Sequence, residues 1–143
     1  MSEVTHWLPG SLLPTLVAAL AAWILGALWY SPVLFAKAWM AANNISMDDV
    51  AKMQKDAPRA YGISFVCMLV MAHVMAWLIH LTGASNWMYG LHLGAMLWFG
   101  FALTLGTIAH VYLKNRTWAA LWIDLGYQLA YMLIMGTILG AWQ

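Results

Sequence analysis

The sequence predicts an all-α integral membrane protein: a bundle of four transmembrane helices, both termini on the outer side, with a short interfacial helix between the first two spans. Three observations carry that reading. Only 8% of the 143 residues are charged while 64% are hydrophobic, whereas a soluble domain carries about a quarter charged residues. The mean hydropathy of +0.75 points the same way, to lipid as the solvent. Charges also fall in blocks: none lies between Val4 and Ala36 or between Ala60 and Leu113, and beyond Arg116 the only one is Asp124. Finally, all six Lys and Arg fall in two connections, Lys37, Lys52, Lys55 and Arg59 in the first, Lys114 and Arg116 in the third.

The charge-free blocks set the elements. A bilayer-spanning helix takes about 20 mostly apolar residues. The first span is expected over about 12–31, closed by Ser31-Pro32, because proline cannot continue the helical hydrogen-bond ladder. "ALA" at 19–21 mimics a signal-peptide cleavage site. The N-terminus has no Lys or Arg, however, and "WILGALWY" continues the apolar run, so a retained first helix is expected. The long uncharged block divides at the turn-rich "TGASN" of 82–86 into spans of about 61–81 and 88–113. The last span covers about 118–142, and the whole of 1–143 reads as one membrane domain. Helices are required because unpaired backbone amides are too costly in hydrocarbon, and four spans cannot close a barrel.

Within the connection 32–60, "SMDDVAKMQKDA" reads as a short helix lying along the inner membrane surface. Ser46 can cap it with Asp49 three residues on, and early acids with later lysines suit its dipole. The one-sided Lys and Arg place both charged connections in the cytoplasm and both termini outside. The same six side chains, Lys37, Lys52, Lys55, Arg59, Lys114 and Arg116, can meet anionic lipid headgroups. Trp29, Tyr30, Trp39, Tyr61, Tyr112, Trp118 and Trp122 gather at the inner boundary as headgroup anchors, while Trp23 and Trp98 fall nearer mid-membrane, where they pack between helices.

These features exclude several function classes. No basic stripe exists for nucleic acid. Cys67 is the sole cysteine, so an intramolecular disulfide and a Cys-based metal cluster are ruled out. No nucleophile elbow, metal motif or nucleotide loop occurs, so neither an enzyme nor a cofactor is expected. His80 and His92 fall at matched depth near the outer turn, a weak two-ligand metal candidate.

The polar residues of the last two spans are the candidate site. Asp124, Tyr127, Gln128 and Tyr131 recur at three and four residues and share one helix face. Thr107, His110 and Lys114 share a face of the preceding helix with Gly100 and Thr104, and the short "KNR" turn makes the two helices antiparallel neighbours. His110, Asp124 and Tyr30 then lie at comparable depth, and could enclose one polar pocket. Two readings stand for Asp124: a hydrogen-bonded strut held by His110, Tyr127 or a cytoplasmic lysine, or a proton- or substrate-binding group. Gly90 with Gly94, Gly136 with Gly140, and Ala18 with Ala22 and Gly26 form small-residue seams for close helix approach, within one bundle or between copies.

"GALWYSPVLFAKAWM" (26–40), together with "MGTILGAW" (135–142), resembles a bacterial membrane family known as domain of unknown function 1761. Gly26, Trp29, Tyr30, Ser31, Pro32, Phe35, Lys37 and Trp39 are the most specific part of the likeness. The resemblance implies a small four-helix bundle in the cytoplasmic membrane and brings no established activity or catalytic residue. It also implies that an amide serves where this chain has Asp124 in many similar sequences, so that titration there is not essential. The expected role is an oligomeric or accessory assembly subunit; the alternative is a small-molecule or proton-linked transporter or channel built around Asp124 and His110.

Overall fold

The computed structural model describes residues 12–83, 86–113 and 116–142, and they form five helices. Lys114 and the tail before Leu12 lie outside the described residues. Helix α1 covers Leu13–Trp29 and starts with Pro14 in its first turn, where a missing N–H costs nothing. It closes ahead of Pro32, with the Ser31 hydroxyl donating to the Leu28 carbonyl at 2.7 Å. A tight turn then leads into the short helix α2, Ala36–Ala42.

Helix α3 runs unbroken over Met47–Thr82, 36 residues, about 54 Å at the helical rise. This corrects the expected arrangement. The segment capped by Ser46 is not a separate interfacial helix but the first turns of the second long helix, and the short helix between the two is α2. Pro58 does not break α3: it forfeits the bond to the Gln54 carbonyl, and the helix carries through. The cap itself forms as expected, with the Asp49 N–H donating to Ser46 Oγ and the Ser46 N–H donating to Asp49 Oδ2 at 3.0 Å. Gly83 ends α3 in the left-handed conformation, φ 64°, which glycine adopts without penalty.

Helix α4 covers Trp87–Tyr112, capped by Asn86, whose Oδ1 accepts from the Tyr89 N–H at 2.8 Å. Its middle, Trp98–Ala102, winds as a π-helix. Helix α5 covers Trp118–Ala141 behind an N-cap at Thr117. The Thr117 hydroxyl also donates to the Ala42 carbonyl at 2.7 Å, tying the end of α2 to the start of α5. Helices α3, α4 and α5 are long and apolar enough to cross a membrane, and α1 is apolar but shorter.

Helix α5 is the axis, with α1, α2, α3 and α4 all packed against it. Ala18, Ala19 and Ala22 of α1 are fully buried against Ala72, Ala76 and Ile79 of α3 and against Tyr131, Met135 and Leu139 of α5. Small side chains on α1 let its backbone come close to both neighbours. The glycine seams meet each other within this one chain. A Cβ at Gly90 or Gly136 would run into the other's carbonyl, one at Gly94 into the Met132 carbonyl, and one at Gly140 into the Asn86 carbonyl. Helix α4 leans almost wholly on α5 and turns Met96, Phe99, Phe101, Leu105 and Ile108 outward.

Candidate functional site

Asp124 lies in the second turn of α5, where the end of α1 and the helix α2 converge on it. Its Oδ1 accepts from the Tyr30 hydroxyl at 2.6 Å and from the Trp39 indole N–H at 3.0 Å. Its Oδ2 is ion-paired with Arg116, just ahead of the helix. With side chains only 26% and 21% exposed, Arg116 and Asp124 form a partly desolvated pair. Charge-assisted bonds of this kind are about twice as strong as neutral ones.

Aromatic rings wall the carboxylate. Tyr30 stands edge-on to Trp39 at 5.7 Å and to Tyr127 at 5.4 Å, and Tyr127 edge-on to Tyr131 at 4.9 Å. Edge-to-face contacts set the positive edge of one ring against the negative face of the next. Trp29 stacks on Phe35 at 4.7 Å and donates its indole N–H to the Ile123 carbonyl at 3.1 Å. The Tyr127 hydroxyl donates to the Ala22 carbonyl at 3.1 Å and lies over Gly26, where a Cβ would collide with it. Gly26, Trp29, Tyr30, Phe35 and Trp39 thus all serve one junction between α1, α2 and α5.

Of the residues singled out in the sequence, the structure brings Asp124, Tyr30, Tyr127 and Tyr131 together. Gln128 is half-buried on the next turn. His110 does not join them: it is buried beside Trp118, ring centroids 4.4 Å apart, and its Nδ1 has no hydrogen-bond partner among the described residues. The Thr107 hydroxyl turns back onto the Leu103 carbonyl of its own helix. At the far end His80 is exposed, and the His92 ring is bonded to the Met88 carbonyl at 2.7 Å. Among the described residues no group of three or more His, Cys, Asp or Glu could hold a metal ion.

Trp39 and Arg116 are the partners that the sequence did not assign to Asp124. Both had been placed at the headgroups, and both turn inward instead. The mid-membrane tryptophans pack between helices as expected: Trp98 donates from the π-segment to the Leu125 carbonyl at 2.9 Å, and Trp23 to Ser64 Oγ at 3.1 Å.

Together these features define an all-α protein with three apolar helices of membrane-crossing length and a shorter apolar one, pinned at one end by a partly buried carboxylate. The chain belongs to the family described as protein of unknown function (DUF1761), whose profile matches residues 13–140. Tyr30 and Trp39, within the matched residues, are among the side chains that enclose Asp124. No curated protein and no solved structure matches the chain.

Proposed function

We propose that this chain is a four-span protein of the cytoplasmic membrane, both termini outside, and that it serves there as a non-enzymatic assembly subunit. The observation that carries the role is the state of Asp124. Both carboxylate oxygens are taken up by Tyr30, Trp39 and Arg116 of the same chain. A carboxylate so committed locks helices together, and a transported proton or substrate would have to displace three partners. Helix α4 supports the same reading, since its outward apolar face is free to meet lipid, another copy or a larger complex.

The topology rests on charge and length. Lys37, Lys52, Lys55, Arg59 and Arg116 all belong to the end of the bundle where α1 finishes and α5 begins, the side that stays in the cytoplasm. Helix α1, 17 residues long, spans about 26 Å and crosses with its flanking residues or with slight local thinning of the bilayer.

Gentle extraction followed by native mass measurement tests the role. The expected result is a complex with further copies or with larger membrane proteins that survives Asp124→Asn. A pH-dependent flux through reconstituted protein, lost in Asp124→Asn while the fold persists, would overturn it in favour of a transporter.

A further inference from the structure

Two clefts flank Tyr30 on the side away from Asp124. The outer one, about 420 Å³, lies between α2 and the first turns of α3 and is lined by Trp39, Met40, Ile45, Val50, Met53 and Ala57, with Gln54 its one polar aliphatic side chain. The inner one, about 440 Å³, lies between α1 and α3 and is lined by Trp23, Ala27, Ser64 and Met68. Tyr30 and Tyr61 border both, so the two adjoin as an outer and an inner lobe along α3. Each lobe is of the size that holds a small molecule.

Position and chemistry point to one kind of occupant. Val50, Gln54, Ala57, Tyr61, Ser64 and Met68 follow three- and four-residue spacing along one face of α3, while Lys52, Lys55 and Arg59 fall on the opposite face. The groove is therefore apolar along its length and without charge on α3. From Gln54 to Met68 it runs about 21 Å at the helical rise, longer than the roughly 15 Å that one leaflet gives a lipid chain. The inner lobe lies at the depth of the spans, and the outer lobe lies beyond it, beside a helix that carries three lysine or arginine side chains. An apolar trough that leaves the bilayer at one end is filled most cheaply from the hydrocarbon at its other end.

We infer that this groove binds a single-chain amphiphile of the fatty-acid class, its tail between α1 and α3 and its polar head at Gln54. The Gln54 amide offers N–H donors to a carboxyl oxygen. The Ser64 hydroxyl is already engaged, accepting from Trp23 and donating to the Tyr61 carbonyl at 2.9 Å, so it does not interrupt the apolar wall. The inference requires the membrane position proposed above but not the assembly role.

The test is photolabelling of the purified full chain in detergent with palmitic acid carrying a diazirine at the chain end. Labelling is expected to saturate, to be competed by unlabelled palmitate, and to map to the inner lobe, at Ser64 to Met68 or the facing Trp23 and Ala27. Ala57→Trp fills the outer lobe and Ala27→Trp the inner one; each lowers labelling about tenfold, as a loss of roughly 1.4 kcal/mol in binding requires. Leu105→Trp on the outward face of α4 leaves it unchanged. Unaltered elution on gel filtration shows that each variant is folded, and since the two fillings sit on different helices, either alone decides the matter. Labelling that never saturates, or that survives either filling in a folded variant, overturns the inference, as does a native mass showing a two-chain phospholipid held in place of the probe. Cysteine-accessibility mapping of the termini tests the membrane position separately, so a failure of that premise is distinguishable from failure of the groove.

Discussion

A carboxylate can accept about four hydrogen bonds, and Asp124 spends its capacity on a phenol, an indole and a guanidinium. An amide keeps an oxygen for Tyr30 and Trp39 but gives up the pair with Arg116. Asp124→Asn is therefore expected to lower thermal stability mildly, while Asp124→Leu strands three donors and costs about 1–3 kcal/mol more. Thermal unfolding in detergent measures the difference, and equal losses for the two variants would mean that the hydrogen bonds do not hold the junction. A double-mutant cycle of Asp124→Asn with Arg116→Gln should return a coupling of about 1 kcal/mol or less, since the pair is partly solvated. The sequence exposed Asp124 as anomalous and placed Tyr30 at its depth. It did not identify Trp39 or Arg116, and it proposed His110. Charge blocks report how far along a helix a residue sits, but not which way round the bundle it points. His110 lies beside Trp118, ring centroids 4.4 Å apart, more than one turn of α5 before Asp124.

The elements show where local signals suffice. Ser46 and Asp49 were readable as a cap because both partners lie within four residues. The Asp49 carboxyl is held below its ordinary value first by the Ser46 backbone N–H and then by the Ser46 hydroxyl. Its folded-state value is depressed, so its contribution is present above the ordinary carboxylate range and is lost as pH falls through the lower folded value. Amide protection over Met47–Ala57, taken relative to the intrinsic exchange rate at each pH, should accordingly fall in acid, and Asp49→Asn should remove that pH dependence. The continuity of α3 was not readable, because a change from charged to apolar composition looks like a boundary even where the backbone passes through it. The glycine seams were visible as seams but not as partners of each other. Gly136→Ala should cost about 1–3 kcal/mol through overpacking, because its Cβ meets backbone rather than a movable side chain. Gly100→Ala and Gly62→Ala, with open space around them, should be neutral or slightly stabilising. Denaturation of the three variants side by side checks the contrast.

For the molecule as a whole, charge distribution and length predict which end of each helix faces which way. Cysteines placed at Lys55 or Arg59 should react with a membrane-impermeant maleimide only after the cells are opened, and one at Asn86 should react in intact cells. Reaction of position 55 from outside would invert the bundle and put Asp124 near the external face. The all-α class and the rough bounds of the long helices were legible because lipid tolerates little else. The order of packing was not, since four apolar helices of similar composition offer no label for which one stands in the centre.

That central place belongs to the helix the ribosome makes last of those described. α1 and α3 can settle against each other through their alanines while synthesis continues, but α4 has its glycine face turned toward a partner that has not yet been made. During that interval α4 waits in lipid with two exposed backbone notches. Arrival of α5 then completes the seam with α4 and brings Asp124 to Tyr30 and Trp39 in one event. The seat of α4 is thus made by a helix that follows it in the chain, so a variant that spoils the α5 glycines leaves the backbone notches of α4 uncovered.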